Sequence, residues 1–192
     1  RSIGDEERER AVMARLVQRL KLTRFEADEY YKHGLEDYRK RNLDQAILNL
    51  NEAIEALPNE AEYYAARGFF YLEDGVDDKA RADFEAALKH FAYEMLAHYG
   101  LGVVAYRDSR YDEAITHFTT AHRCDTTRPE PLYYLALAYY HKRHNVYALQ
   151  VMRQAHDLFA EGDARKKDAA KWIRFLEKTP SEKQPRLPDP SG

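Results

Sequence analysis

The sequence has few of the residues that end helices, glycine and proline, and only one cysteine. Among its 192 residues are 8 glycines, 7 prolines and one cysteine. A single cysteine excludes an internal disulfide framework and a cysteine-rich zinc site. Because four of the prolines lie between residues 180 and 190, proline rarely interrupts helices in the rest of the chain. Residues 179–192 are predicted to form a flexible tail rich in proline.

Long hydrophobic runs are also missing. No apolar stretch approaches the length of about 18 residues that a membrane span requires, so neither a span nor a signal peptide is predicted. The composition, with 44% hydrophobic and 33% charged residues, is typical of a soluble folded protein, and we expect a cytoplasmic one. The chain opens on Arg1 rather than methionine, which we interpret as the start of a domain excised from a longer product.

What the sequence has instead is a repeat of 34 residues. Shifting the chain against itself by this distance aligns small residues with small ones and bulky residues with bulky ones. The small columns are Gly34, Gly68, Gly102 and Ala136; Ala46, Ala80, Ala114 and Ala148; and Ala53, Ala87, Ala121 and Ala155. One bulky column holds Leu50, Phe84, Phe118 and Met152.

Each repeated unit contains two stretches with the apolar spacing of a helix, separated by a short polar break. In the first unit they cover roughly 28–40 and 44–57. Asp44, Asp78 and Asp112 open the second stretch, where the helix dipole favours negative charge. Since two helices approach closely only where side chains are small, we expect the small columns at helix contacts and aromatic residues around them. The pattern predicts an all-α protein of about nine or ten helices without a sheet.

In these columns the chain resembles the tetratricopeptide repeat family. The period, the small residues, the aromatic residue of the second helix and the closing Pro58 agree over four consecutive units, which are 27–60, 61–94, 95–128 and 129–162. The resemblance implies a right-handed superhelical solenoid of four helix-turn-helix repeats. The departures are His33 and Arg67 where the family has leucine, Asp37 where it has tyrosine, and Ala92 and Thr126 where it has proline.

The segments outside the repeats are also predicted to be helical. Residues 1–26 are interpreted as an N-terminal amphipathic helix or the remnant of a degenerate repeat. Their apolar stripe consists of Val12, Met13, Leu16, Val17 and Leu20. Residues 163–178, with Ala169, Ile173 and Leu176 along one face, are typical of a capping helix. Trp172 on the same face is interpreted as a core residue.

Patterns for catalysis or metal binding are absent. Cys124 occupies a column where a small buried residue is expected, and no base is marked out beside it. His141 and His144 lie where a predicted helix ends, and contact with the helix dipole explains them better than metal ligation does. Since no glycine-rich phosphate loop and no distinctive carboxylate pair occurs, we predict neither an enzyme nor a bound metal or cofactor.

Nucleic-acid binding is not expected either. The RNA-reading pentatricopeptide repeat also stacks helix pairs, but its unit is longer, whereas the units here keep 34 residues without drift. Residues 27–162 hold 15 basic and 23 acidic side chains. This excess of negative charge repels phosphate.

The resemblance implies that the first helices of the units line a concave groove that receives peptides or helices. The corresponding sites are mostly aromatic or apolar: Tyr31, Leu35, Tyr38, Phe69, Tyr99, Val103, Tyr106, Tyr133, Tyr134, Leu137 and Tyr140. Tyrosine is favoured at interfaces because it offers a wide surface and a hydroxyl at a small cost in rotamer entropy. We therefore predict a protein-interaction scaffold that binds an apolar or amphipathic segment flanked by Lys or Arg.

Alternatives stay open from the sequence alone. One alternative is that several of these tyrosines are half-buried packing residues, or are covered by the chain's own N-terminal helix or tail. The groove of one copy suits a neighbouring copy, which would make the chain a self-assembly module, and a regulatory domain of a larger protein has the same features. The family members that grip a C-terminal carboxylate use Lys, Arg and Asn; the matching sites here are Tyr31, Leu35, Ala66, Leu96 and Gly100. That clamp is not predicted.

Overall fold

The computed structural model describes residues 3–179, and within that range the chain forms nine α-helices and no strand. The helices are α1 (Ile3–Arg39), α2 (Leu43–Ala56), α3 (Ala61–Glu73), α4 (Asp77–His90), α5 (Met95–Arg107), α6 (Tyr111–Cys124), α7 (Pro129–His141), α8 (Asn145–Leu158) and α9 (Ala164–Lys178). The prediction of an all-α fold is confirmed.

The chain divides into two compact parts, which are larger than the repeats and are called unit 1 (residues 1–92) and unit 2 (residues 93–192) from here on. In unit 1, α1 packs on α2, α3 packs on α4, and α2 contacts α3. In unit 2, α5 packs on α6 and α7 on α8, while α6 contacts α7 and α9 covers α8. The helix α5 also contacts α7 directly. Each unit is therefore built from helix hairpins, one hairpin per predicted repeat.

The small columns lie at the helix contacts inside the hairpins. Ala80 and Ala114 are fully buried, as are Phe84 and Phe118. A Cβ atom added to Gly102 would lie 2.6 Å from the ring of Phe118, which is closer than packed carbon atoms approach. Glycine is thus required here because the ring of the second helix rests against the backbone of the first.

The turn inside each hairpin has one residue with positive φ at the same repeat position. These residues are Arg41 (63°), Gly75 (78°), Ser109 (59°) and Arg143 (62°). In the second hairpin the N–H of Gly75 donates to the carbonyl of Leu72, and the N–H of Val76 donates to that of Tyr71. This pair of bonds is the usual ending of a helix by a left-handed residue. Only one of the four turns uses glycine, so the other three bear the cost of a side chain at positive φ.

We predict opposite effects at two of these equivalent turns. Gly75→Ala should destabilise the protein by about 1 kcal/mol, because nothing lies within 4 Å of the added Cβ and only the backbone strain acts. Ser109→Gly should stabilise it by roughly 0.5–1 kcal/mol by removing that strain. Urea denaturation followed by circular dichroism measures both. Ser109→Ala, which loses the hydroxyl but keeps the Cβ, is the control, and a gain from it would contradict the strain argument.

Arg67, which stands where the family pattern has leucine, forms a buried ion pair. The guanidinium donates from Nε and Nη2 to both carboxylate oxygens of Asp83, at 2.8 and 2.7 Å, and from Nη1 to Asn51 at 2.9 Å. The Asp83 side chain is only 8% exposed. Hydrogen bonding to Asp83 raises the pKa of Arg67 against the opposing effect of burial. An arginine replaces the usual leucine here because an acidic partner on α4 and an amide on α2 receive its donors.

We predict that the two members of this pair are strongly coupled. Asp83→Val alone should cost roughly 3 kcal/mol, because it leaves a charged guanidinium without its buried partner. Arg67→Leu alone should be similarly harmful, since it strands the Asp83 carboxylate. The double variant, Arg67→Leu with Asp83→Val, has the same residue types as the equivalent positions two repeats later, Leu135 and Val151. Its free energy of unfolding should return to within about 1 kcal/mol of the parent. Additive losses in a thermodynamic cycle would contradict this account.

The first helix extends across a predicted boundary. The sequence separates residues 1–26 from the first repeat, whereas α1 runs without a break from Ile3 to Arg39. Its N-terminal half leaves the predicted apolar stripe exposed, from 46% at Val17 to 66% at Leu20. At the other end, α9 occupies the segment expected to cap the repeats and buries Ala169 and Leu176. The division into domains remains a prediction, and beyond Thr179 the predicted tail lies outside the described residues.

Candidate functional site

The tyrosines of α5 and α7 form a continuous aromatic cluster in unit 2. The Tyr134 ring contacts the rings of Tyr99 and Tyr106 edge-on, with centroids 6.0 and 5.8 Å apart. Tyr133 meets Tyr134 in the same way at 5.6 Å, and Tyr134 stacks on the buried Phe118 at 5.7 Å. All four tyrosines are half-buried. Edge-on contacts are a favoured geometry between aromatic rings, so the tyrosines form one continuous surface.

A histidine extends the cluster at the end of α7. The hydroxyl of Tyr106 lies 3.0 Å from Nε2 of His141, and the His141 ring stacks on Tyr111 with centroids 4.6 Å apart. Burial is the largest of the causes that raise the pKa of Tyr106. The raised pKa favours the protonated phenol, the form that carries a proton for a hydrogen bond with His141.

The helix α9 adds two aromatic residues that complete one edge of this surface. Tyr140 contacts Trp172 and Phe175 edge-on, at 5.2 and 5.7 Å. Tyr133, Trp172 and Phe175, together with Asp168 and Lys171, line an open cavity of about 420 Å³. Burial is the main cause that raises the pKa of Tyr133, and the nearby Asp168 carboxylate adds to it.

Sequence reasoning missed the part of the site that α9 supplies. Trp172 was expected in the core, but it is half-buried and lines the cavity. Phe175 is 47% exposed. The spacing of Asp168, Lys171, Trp172 and Phe175 places them on one face of α9. That spacing was visible in the sequence, but the direction of the face depends on how α9 packs against α8.

Two of the predicted site residues lie in the core of unit 2. Val103 is 6% and Leu137 is 8% exposed. They therefore offer little surface to a partner. The family pattern places both residues on the first helices of their repeats. It does not determine whether a neighbouring helix covers them.

The predicted residues of unit 1 form a second, separate group. Tyr31, Leu35, Tyr38 and Phe69 are half-buried and pack against the unit 1 core. The Tyr31 hydroxyl donates to Glu62 at 2.7 Å, and the Tyr38 ring stacks on Phe70 with centroids 5.1 Å apart. These side chains have clear structural roles within the unit.

The remaining candidate groups show no arrangement for catalysis. Cys124 is half-buried, and burial raises the pKa of its thiol, which disfavours the reactive thiolate. Within residues 3–179 there is no group of three or more His, Cys, Asp or Glu side chains arranged to hold a metal ion. None of the helices described between these same residues is both long enough and apolar enough to span a membrane.

The hairpins and the aromatic surface define a helical-repeat protein. Comparison with known proteins identifies the repeat: residues 78–129 match the family model of the tetratricopeptide repeat. The resemblance that the sequence predicts is therefore confirmed over these residues. Proteins with this repeat are typically interaction modules without enzymatic activity. No curated protein sequence matches the chain.

Solved structures share the fold at low sequence identity. One is pilF of Pseudomonas aeruginosa, with 21% identity, a TM-score of 0.71, and coverage of 80% of this chain and 68% of that one. Another is YrrB, described as a TPR protein with an unusual peptide-binding site, with 19% identity, a TM-score of 0.59, and coverage of 76% and 74%.

A third solved structure contains a bound peptide. It is the first TPR of Spaghetti (RPAP3) bound to the HSP90 peptide SRMEEVD, with 15% identity, a TM-score of 0.58, and coverage of 61% of this chain and 93% of that one. At these identities the three likenesses establish the fold of the chain and nothing finer.

Proposed function

We propose that this chain is an interaction module that binds an apolar or amphipathic segment of another protein on the aromatic surface of unit 2. The observation that carries the proposal is the cavity between α7 and α9. There, Tyr133, Trp172 and Phe175 meet around an open space that no described side chain fills. An apolar side chain of a partner fits such a space because aromatic walls provide wide contact at a low entropic cost.

The neighbouring tyrosines support this placement. Tyr99, Tyr106 and Tyr134 continue the surface away from the cavity, with their rings held by mutual edge-on contacts. A surface that is already ordered loses little conformational freedom when a ligand binds. Tyr140 joins the two parts through its contacts with Trp172 and Phe175. The binding surface proposed here is thus larger than the cavity and runs from α5 to α9.

The acidic side chains of the repeats favour a partner that carries positive charge. Residues 27–162 hold 23 acidic and 15 basic side chains, and the cavity itself contains the exposed pair Asp168 and Lys171, 3.5 Å apart. Most of this acidic excess lies in residues 27–92, while the residues of unit 2 are close to neutral, so a partner with Lys or Arg beside its apolar core is attracted weakly and over a distance.

The acidic peptide bound by the RPAP3 repeat is a poor candidate. Its sequence, SRMEEVD, ends on a carboxylate-rich stretch. At the sites that would form the clamp for such a carboxylate, this chain has Tyr31, Leu35, Ala66, Leu96 and Gly100. Without basic side chains there, the terminal charges would be left uncompensated. The SRMEEVD peptide therefore serves as a negative control.

The chain carries its own reporter for a binding test. Trp172 is the only tryptophan, and it lines the cavity. Peptides selected on the full chain from a displayed random library should alter its fluorescence on titration. Tyr133→Ala should weaken the binding of a selected peptide by about 30-fold, which corresponds to roughly 2 kcal/mol for one anchor residue.

A matched variant separates binding from folding. Tyr147→Ala removes another half-buried tyrosine of unit 2, one that packs on Tyr139 at 5.8 Å and does not line the cavity. It should leave the affinity unchanged. Helicity measured by circular dichroism should stay at the parental level in both variants. Equal losses of affinity in the two variants, or none in either, would place the site elsewhere.

Ionic strength should act mainly on association. Because the proposed attraction is between solvent-exposed charges, raising salt shortens its range and slows the encounter. Dissociation, which depends on contacts of the apolar core, should change much less. Stopped-flow measurements of Trp172 fluorescence give both rates. An association rate that does not depend on salt would show that charge plays no part in partner choice.

A further inference from the structure

The N-terminal half of α1 exposes a row of large apolar side chains. Val12, Met13, Leu16, Val17 and Leu20 are exposed by 54%, 59%, 48%, 46% and 66%. Their spacing of three and four residues places them on one face of the helix. A contiguous apolar row of this kind is unusual on the surface of a monomer. Further along the same face, Ala27 is fully buried in the unit 1 core.

The charges on this face change sign along the helix. Asp5 and Glu9 precede the apolar row at the same helical spacing, and Arg24 follows it. The centre of the face is therefore acidic, then apolar, then basic from the N-terminus onward, and Arg10 and Arg19 lie at its two edges. Arg24 also forms an ion pair with Glu60 at 3.5 Å, but both side chains are largely solvent-exposed and such a pair contributes little.

We propose that two copies of the chain associate through this face of α1, with the two helices antiparallel and crossing near Leu16. In this arrangement the apolar rows cover each other, and the acidic end of each helix lies beside Arg24 of the other. A parallel arrangement would instead place acidic ends together and basic ends together, which is destabilising. The charge pattern thus selects both the partner, a second copy, and its direction.

The length of the helix suits this pairing. Residues 5–24 cover about 30 Å at the usual rise of 1.5 Å per residue, long enough for a two-helix contact of several turns. The hairpins of unit 1 begin beyond that stretch, at the buried Ala27. In an antiparallel pair, they lie at opposite ends of the contact. The proposal concerns a surface separate from the aromatic cluster, and it does not depend on the proposed function.

The mass of the full 192-residue chain in solution tests the association. Size-exclusion chromatography with light scattering, over a series of concentrations, should give twice the 22.5 kDa of one chain. Leu16→Glu should return the protein to the monomer, since it places a charge at the centre of the contact. Leu22→Glu is the matched control: Leu22 is 56% exposed but lies on the opposite side of α1, so this variant should stay dimeric.

Charge reversal tests the direction. Glu9→Arg and Arg24→Glu should each weaken the dimer, because each places like charges together across the antiparallel contact. The double variant restores opposite charges between the copies and should recover the association to within about threefold of the parent. Recovery cannot come from the Glu60 ion pair, since the double variant lacks it as well. In a parallel pair like charges face each other in the parent and in every variant, so neither single reversal would weaken the dimer.

Three results would overturn the proposal. A monomer at every concentration would do so, whether or not the apolar row then binds a peptide or a lipid vesicle. Equal loss of the dimer in Leu16→Glu and Leu22→Glu would show that the contact is not confined to this face. A dimer that survives Leu16→Glu with unchanged affinity would place the interface on another surface. Circular dichroism of each variant should match the parent, since both leucines are exposed.

Discussion

The close approach of two helices within a hairpin is the contact on which the rest of this structure depends. It occurs where the ring of Phe84 or Phe118 rests on the backbone at Gly68 or Gly102. A bulky side chain fits there only because the facing residue has none, and the alanines beside it let the helix axes come near. Once that distance is set, the neighbouring side chains have fixed positions. The aromatic cluster of unit 2 is one result, since Tyr99 and Tyr134 both contact Phe118.

Variation between the repeats is tolerated where a compensating partner is present. The ion pair of Arg67 with Asp83 replaces an apolar contact, and the hydrogen bond from Asn49 to Asp37 at 2.8 Å accompanies a second departure from the family pattern. In each case a polar residue on one helix has its hydrogen-bonding partner on the next. The left-handed turn residues are a different case. Three side chains are kept at positive φ without glycine, because the hairpin packing on either side holds the turn.

The two surfaces proposed for association differ in chemistry. The surface of unit 2 is aromatic, concave at the α7–α9 cavity and ordered by ring contacts, which suits a short apolar segment. The face of α1 is aliphatic and linear, and its charges are complementary to those of an identical helix. A protein with both would bring two copies of the same peptide site together. Such an arrangement raises the apparent affinity for a partner that carries two binding segments.

Much of the fold was predictable from the sequence, because a repeated period converts weak local signals into a strong one. The columns of small residues identified the helix hairpins, the turns and the family before any contact was known. The site was less predictable. Val103 and Leu137 share a helix face with the tyrosines, yet neighbouring helices cover them. Trp172 and Phe175 belong to the surface because α9 packs on α8 at one particular rotation. Periodicity along one helix determines which residues share a face; what that face meets is decided only when the helices pack, since burial depends on atoms far away in the chain.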